Sequence, residues 1–274
     1  FSLPRVYISI FYITMLVGVL SLQGAVEEHI ICLHKVGCKT REVKTSADLT
    51  DLDGIVIPGG ESTTMAIVGE RNGIFSSLRD WVHKGRPTWG TCAGMILLSD
   101  HAIKQSSGGQ SLLGGLDVHV CRNYFGSQLN SCKKIIDVTV DEFIGCEGIF
   151  IRAPAILKAG ADVRILGTVL AEPHSSAVED VKNLICNATA TTSTSTEPAT
   201  TPSGEYTSTS TLQQSTGSVY IAHTSDNETT TGVLYQVAVA VRQGNILATA
   251  FHPELTNDLR WHRYFVEMIH RAKE

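Results

Sequence analysis

The stretch that decides the fold is Pro87-Thr-Trp-Gly-Thr-Cys-Ala-Gly-Met-Ile-Leu-Leu-Ser99. Pro87–Gly90 predicts a short buried strand, and Ala93–Ser99 predicts the start of a helix. Between them, Gly90-Thr-Cys92-Ala-Gly94 has the spacing of a nucleophile elbow, with cysteine in the place of serine. Its glycines allow a strained turn that lifts the thiol above the sheet edge, and the helix start favours the reactive thiolate. Alone, the pentapeptide fits a buried cysteine in an ordinary turn equally well.

Outward from this stretch, apolar runs alternate with helical patterns. In the first half we predict strands over Met15–Leu22, Thr40–Val43 and Asp53–Pro58, and helices over Ala25–Val36 and Gly73–Lys84. In the second half we predict strands over Leu116–Cys121, Lys134–Val140, Gly148–Ile151, Val163–Val169, Val233–Val241 and Ile246–Phe251, and a last helix over Asn257–Ala272. The alternation predicts an α/β fold of three layers, in which helices flank a mostly parallel sheet.

Two further motifs follow predicted strands. In Phe251-His252-Pro253-Glu254-Leu255, residues two apart project to the same side of an extended chain, so His252 and Glu254 can enter one cleft. A nucleophilic cysteine needs an imidazole to move its proton, and that ring needs an orienting acceptor. The second motif is Pro58-Gly59-Gly60-Glu61-Ser62-Thr63, whose glycines let backbone N–H groups approach a substrate oxygen. Open α/β sheets place their sites at such carboxyl strand ends.

Composition excludes several other classes. The chain has 274 residues, 43% of them hydrophobic, and a net charge of −5, so it lacks the basic surface typical of nucleic-acid binding. Its seven cysteines are scattered without CxxC pairs or zinc-ligand spacing, which predicts neither a disulfide framework nor a metal site. We therefore expect no metal and no cofactor.

Two segments depart from the alternation of predicted strands and helices. Residues 6–26 carry no charge, but the run breaks at Gln23-Gly24 and its second half fits a buried strand, so we expect no membrane anchor. Residues 1–14 are then an N-terminal extension or presequence remnant, and 15–274 a single domain. Ser or Thr fills 18 of the 31 positions of Ala188–Ser218, which predicts a disordered insertion at about 173–231. Two N-glycosylation patterns, at Asn187 and Asn227, flank this stretch.

Taken in order, the three motifs resemble triad-type class I glutamine amidotransferases, which have a flavodoxin-like fold. The chain further resembles the PdxT/SNO family, the glutaminase subunit of pyridoxal 5′-phosphate synthase. The strings that carry this resemblance run along most of the chain: Gly18–Val26, Pro58–Thr63, Trp89–Gly94, Arg122-Asn123, Phe125-Gly126, Phe150–Pro154 and Ala250–Thr256.

The resemblance implies a role for each motif. Cys92 would attack the side-chain amide of L-glutamine, His252 would shuttle the proton and Glu254 would orient the ring. The oxyanion of the resulting intermediate would bind at Gly60 and Ala93. The residues that would bind glutamine are Gly60, Glu61, Ser62, Arg122, Ile151 and Arg152. Arginine suits carboxylate recognition, and Glu61 suits the ammonium group.

The resemblance also implies a partner. Ammonia would pass to a (β/α)₈-barrel synthase subunit within a hetero-oligomer, and vitamin B6 synthesis of this kind is expected in the cytoplasm. Ser127 stands where many bacterial members carry arginine, and Cys132-Lys133 replaces an aromatic–acidic pair. Neither departure touches the triad, but both could alter the pocket rim or the partner interface.

Three alternatives differ in substrate, location or activity. Another Cys-His-Glu hydrolase, such as a γ-glutamyl hydrolase, would cleave folate polyglutamates rather than free glutamine. A secreted or membrane-anchored glycoprotein would explain the apolar N-terminus and the Ser/Thr-rich insertion, but removing residues 6–22 would remove a predicted strand. A catalytically idle regulatory subunit would not need the intact Cys92, His252 and Glu254.

Overall fold

A computed structural model describes residues 15–103, 109–126, 132–140, 143–183 and 234–274, and the backbone of 218–219 and 222–224. The strands are β1 Leu16–Leu20, β2 Lys39–Val43, β3 Gly54–Ile57, β4 Thr88–Thr91, β5 Ser99–Ile103, β6 Leu116–Cys121, β7 Cys132–Ile135, β8 Asp137–Val138, β9 Glu147–Phe150, β10 Ala155–Ala159, β11 Arg164–Ala171, β12 Ser218–Val219, β13 Ala222–Thr224, β14 Leu234–Gln243 and β15 Ile246–Thr249. The helices are α1 Val26–Lys35, α2 Ser62–Arg71, α3 Ile74–His83, α4 Ala93–Leu98, α5 over 178–183 and α6 Arg260–Arg271.

The main sheet has the strand order β2-β1-β3-β4-β15-β14-β10-β6-β5. Each pair from β2 to β15 is parallel, and so is the pair β5–β6, whereas β15, β14, β10 and β6 pair antiparallel. Strand β11 extends the sheet beside β14, and β7 pairs with β9 in a separate ribbon. The prediction of an α/β fold with a mostly parallel sheet is confirmed.

Helices cover both faces of the sheet, as β4 illustrates. Successive side chains on a strand point to opposite faces. Trp89 points towards α1 and α6, where it contacts His29 and Phe265. Gly90 faces α4, and a Cβ atom there would lie 2.6 Å from the backbone of Gly94. The structure therefore has the three layers that the sequence predicted.

Strand β1 occupies a central place in the sheet, between β2 and β3. Its residues Val17, Val19 and Leu20 are fully buried, which accounts for the apolar composition of this part of the uncharged N-terminal run. None of the helices within the described ranges is long and apolar enough to cross a membrane.

The structure differs from the predicted elements at several places. Helix α2 follows the predicted Gly59-Gly60 turn after Glu61, over residues to which no helix or strand was assigned from the sequence. The predicted strand Lys134–Val140 is interrupted at the buried Ile136, which ends β7 and precedes β8. Strands β5 and β10 were not predicted. Strand β5 follows α4 without an intervening turn and carries the polar Asp100 and His101, so no apolar run marks it in the sequence.

Several predictions fall on residues outside the described ranges. These are the extension 1–14, Ser127, the Asn187 and Asn227 glycosylation patterns, and the Ser/Thr-rich part of the predicted insertion over 184–217. The first residues of that predicted insertion, 173–183, are described. They include α5, and Ala177 and Val181 are buried against the core.

Candidate active site

Cys92 lies at the turn between β4 and α4, with φ 47° and ψ −100°. An L-residue rarely adopts this conformation, so the surrounding packing must hold it. Its backbone N–H donates to the carbonyl of Thr249 at 2.8 Å, which ties the turn to the neighbouring strand β15. A Cβ atom at Gly94 would collide with the carbonyl oxygen of Ile57, so only glycine allows α4 to start this close to β3. The elbow predicted from the sequence is present.

His252 and Glu254 follow β15, the strand beside β4. The backbone N–H of His252 donates to the carbonyl of Ile149 at 2.9 Å, which anchors the segment to β9. Pro253–Leu255 forms a 3-10 turn rather than the extended chain that the sequence analysis assumed. Glu254 nevertheless reaches back, and its Oε1 lies 2.7 Å from His252 Nδ1. Both residues are buried.

The structure brings the side chains of Cys92 and His252 together at the ends of the adjacent strands β4 and β15. The turn before α2 passes over this pair, since a Cβ atom at Gly59 would collide with the His252 ring and lie 3.3 Å from Cys92 Cβ. Burial on its own would lower the pKa of His252, but the hydrogen bonds to Cys92 and Glu254 outweigh it and raise that pKa to about 10. The ring therefore carries its proton at neutral pH, next to the sulfur.

Glu254 is held as an anion. Burial raises its pKa, but the nearby His29 and the hydrogen bond from His252 lower it further, so its pKa lies below the usual carboxyl value. The three side chains thus form a line of thiol, imidazole and carboxylate, which is the arrangement that a Cys-His-Glu triad requires.

A polar cluster joins the Gly59-Gly60 turn to the loop after β6. Arg122 Nη2 donates to Ser62 Oγ at 3.0 Å and to Thr63 Oγ1 at 3.1 Å, and it lies 3.7 Å from Glu61 Oε1. Glu61 also caps α2, because its carboxylate accepts from the backbone N–H groups of Thr63 and Thr64. Four residues predicted from the resemblance, Gly60, Glu61, Ser62 and Arg122, therefore lie in one cluster or next to it.

Ile151 and Arg152 follow β9, whose Ile149 anchors His252. Arg152 is exposed and has φ 47°, a second strained non-glycine backbone. Its neighbour Ala153 accepts a hydrogen bond from the N–H of Phe125 at 3.3 Å, which joins this segment to the turn that carries Arg122. Ala93, the second residue predicted for the oxyanion, is the first residue of α4 and is buried.

Comparison with known proteins matches the chain to the model of the SNO glutamine amidotransferase family over residues 19–191 and 217–271. The chain belongs to this family. A probable pyridoxal 5′-phosphate synthase subunit PDX2 from Arabidopsis thaliana is 40% identical over 267 residues, covering 95% of this chain and 88% of that protein. The pyridoxal 5′-phosphate synthase subunit PdxT of Streptomyces avermitilis is 36% identical, covering 93% and 94%. A crystal structure of a glutamine amidotransferase has a TM-score of 0.64 and 29% identity, and covers 93% of this chain and 98% of its own.

Within this glutamine amidotransferase, two glutamines near the site were not predicted. Gln23 Oε1 accepts from the backbone N–H of Glu61 at 2.7 Å, so it holds the turn before α2. Gln110 Oε1 accepts from the hydroxyl groups of Ser62 and Thr63. Neither glutamine has a sequence spacing that ties it to this cluster, because the contacts join residues 38 to 48 positions apart.

No group of three or more His, Cys, Asp or Glu residues within the described ranges is arranged to hold a metal ion.

Proposed function

We propose that this glutamine amidotransferase is the glutaminase subunit of a pyridoxal 5′-phosphate synthase, and that it hydrolyses L-glutamine to glutamate and ammonia. The observation that carries the proposal is the buried line from Cys92 through His252 to Glu254, at the ends of two adjacent parallel strands. Each group has the neighbour that its role needs, so the site is organised before substrate arrives.

The first half of the reaction forms a thioester. Cys92 Sγ bonds to the side-chain carbonyl carbon of glutamine, and the carbonyl electron pair moves onto its oxygen, where the N–H groups of Gly60 and Ala93 receive the charge. His252 gives its proton to the amide nitrogen as the C–N bond breaks. Ammonia leaves, and a γ-glutamyl thioester stays on Cys92.

The second half releases glutamate. Water attacks the thioester carbon while His252, now neutral, takes a proton from it. The oxyanion then collapses, the C–S bond breaks, and glutamate leaves. Because the ring has regained its proton and the sulfur its electron pair, the site returns to its starting state. Throughout, Glu254 keeps the ring oriented and stabilises its positive charge.

Glutamine would be recognised by the cluster at the end of β3 and by the segment after β9. Arg122 and Arg152 suit the α-carboxylate, Glu61 suits the ammonium group, and Gly60, Ser62 and Ile151 shape the pocket. The Ser62–Arg122 hydrogen bond and the Phe125–Ala153 link support this assignment, because they join the segments concerned.

Ammonia would pass to a synthase subunit, a (β/α)₈ barrel, within a hetero-oligomer. The names of the Arabidopsis and Streptomyces relatives support a synthase partner. A closed interface keeps nascent ammonia from water, so we expect strong activity only in the complex. A cytoplasmic location agrees with the free state of all six cysteines in the described ranges.

The test is glutamate and ammonia release by the purified chain, with and without the synthase subunit. Cys92→Ser should abolish both products while binding of the partner persists. Cys38→Ser is the matched control, because Cys38 is buried to the same degree but burial raises its pKa to about 11. Parent-level ammonia release by Cys92→Ser would refute the nucleophile assignment, and activity on γ-glutamyl oligomers but not on glutamine would refute the substrate.

A further inference from the structure

Two histidines that the mechanism does not use lie behind Glu254. His29, on α1, and His262, on α6, are both fully buried. Each ring packs edge-on against Trp89, with centroid separations of 5.4 Å and 4.9 Å. A buried polar ring has a desolvation cost unless it is hydrogen-bonded, so the partners of these rings decide what they do.

His29 links Glu254 to His262. Its Nε2 lies 3.4 Å from Glu254 Oε2 and 3.2 Å from Thr91 Oγ1, and its Nδ1 lies 3.1 Å from His262 Nε2. The other carboxylate oxygen, Oε1, is already bound to His252. His29 Nε2 therefore lies within reach of Oε2, the carboxylate oxygen that the triad leaves free. Oε2 is buried and has no aligned hydrogen-bond donor among the described residues, because the aligned partner of His29 Nε2 is Thr91 Oγ1.

One arrangement of protons gives the N–H groups of both histidine rings an acceptor. Burial lowers the pKa of both, so each ring is neutral and carries one N–H. If His29 carried its proton on Nδ1, a lone pair on its Nε2 would face the Glu254 carboxylate. The proton of His262 would then be on His262 Nδ1, where the described residues offer no partner. With the proton of His262 on Nε2 and that of His29 on Nε2, each N–H points at an acceptor.

We propose that His29 is a positioning residue for Glu254: held by His262, it donates its Nε2–H to Oε2 and keeps Oε1 aligned with His252. This inference rests on the proposed catalytic triad. A carboxylate held at one oxygen can pivot about that contact, whereas a second donor on the other oxygen fixes its plane. Because His29 is neutral, it does this without competing with the His252 imidazolium for the negative charge.

Two amide substitutions separate the functions of the two ring nitrogens. His29→Gln places an N–H donor near the position of Nε2, facing Glu254, whereas His29→Asn places its amide near Nδ1, facing His262. We expect His29→Asn to lower kcat in the complex by about 10- to 100-fold with little change in KM, as loss of an outer partner does at metal sites. His29→Gln should recover most of this loss.

A second readout does not depend on glutaminase activity. The rate at which iodoacetamide alkylates Cys92, followed by peptide mass spectrometry on the full chain, reports the Cys92–His252–Glu254 coupling directly. His29→Asn should change the pH dependence of that rate in the same direction as Glu254→Gln. It should have no further effect in a Glu254→Gln background, because it acts through Glu254.

The inference is overturned if the Asn and Gln variants behave alike, or if the effects of His29→Asn and Glu254→Gln are additive. Should His29→Asn lose its thermal unfolding transition, His262→Leu replaces it, since this change removes only the donor that holds His29. If no form of the chain hydrolyses glutamine, the proposed function fails, while the alkylation rates still decide the role of His29.

Discussion

The proposed triad and the polar cluster around Arg122 and Glu61 differ in their contact with water. The side chains of His252 and Glu254 are 10% and 0% exposed, whereas those of Arg122 and Glu61 are 19% and 43% exposed. The triad is surrounded by strands β4, β15 and β9. The cluster lies on a turn and a helix start, and much of its charge faces solvent.

We expect this difference in exposure to separate the residues that carry out the chemistry from those that recognise glutamine. In the buried triad each charge acts at low dielectric, and moving a partner leaves an uncompensated charge. In the exposed cluster, water screens the charges and can replace a lost hydrogen bond. Changes in the triad should therefore act on kcat with large effects, and changes in the cluster should act on KM with smaller ones.

The largest effect is expected from Glu254→Gln. The amide keeps the shape of the carboxylate but cannot stabilise the imidazolium, so kcat in the complex should fall by about 10³- to 10⁴-fold, as for the corresponding change in other triads. KM should change little. Steady-state glutaminase kinetics measure both constants, with the exposed Glu27→Gln as control. A loss confined to KM would contradict the distinction between the two regions.

Arg122→Gln should act on KM rather than on kcat. It removes a charge-assisted contact to the glutamine carboxylate, worth about 2 kcal/mol, which corresponds to an increase of about 30-fold in KM. The exposed Arg263→Gln is the matched control on α6. If kcat falls by more than KM rises, Arg122 belongs to the chemistry rather than to recognition.

The pH dependence of the free energy of unfolding tests the protonation of His252 in the triad, and this test needs no substrate. Since folding raises the pKa of His252 from 6.5 to about 10, its stabilising contribution is fully present below pH 6.5 and is lost as pH rises towards 10. The difference in free energy of unfolding between the parent and His252→Asn should thus shrink by about 2 kcal/mol or more over that range. Urea denaturation at several pH values measures it, and a difference that grows with pH would contradict the assigned protonation.

The smallest effect is expected from deleting residues 192–216, which the family model does not match. The Ser/Thr-rich composition predicts that this segment contributes little packing, and shortening a loop of that kind changes the free energy of unfolding by about 1 kcal/mol or less, so thermal unfolding should change little. A deletion that extends back through α5 is the control, because it removes the buried Ala177 and Val181. Strong destabilisation by the shorter deletion would show that this segment packs on the domain.

The sequence was most informative where side chains are buried on regular elements. Leu116–Cys121 coincides with β6, where apolar residues alternate with Asp117 and His119, and Asp53–Pro58 contains β3, a continuous apolar run bounded by turns. Helix α2 was missed because its buried face consists of Ser62, Met65, Ala66 and Gly69, a weak apolar stripe. The motifs placed Cys92, His252 and Glu254 at strand ends, but no pattern revealed which strands are neighbours.

The role of His29 could not be predicted for a related reason. It falls on the buried face of α1 with Cys32 and Leu33, and His262 falls on the buried face of α6. A polar residue on an apolar stripe signals that a partner exists. Only the packing of the two helices on β4 identifies that partner, since His29 and His262 are 233 positions apart.

The most direct test of the central claim is to treat the complex with a chloroketone analogue of glutamine and to locate the modified residue by peptide mass spectrometry. A ketone in the place of the amide keeps the recognition groups, and its chloromethyl carbon alkylates the thiolate irreversibly as chloride leaves. The proposed triad predicts stoichiometric modification of Cys92 alone among the seven cysteines. Excess glutamine should protect the thiol, and Glu254→Gln should slow the reaction. Modification of another residue, or a rate that glutamine does not affect, would contradict the claim.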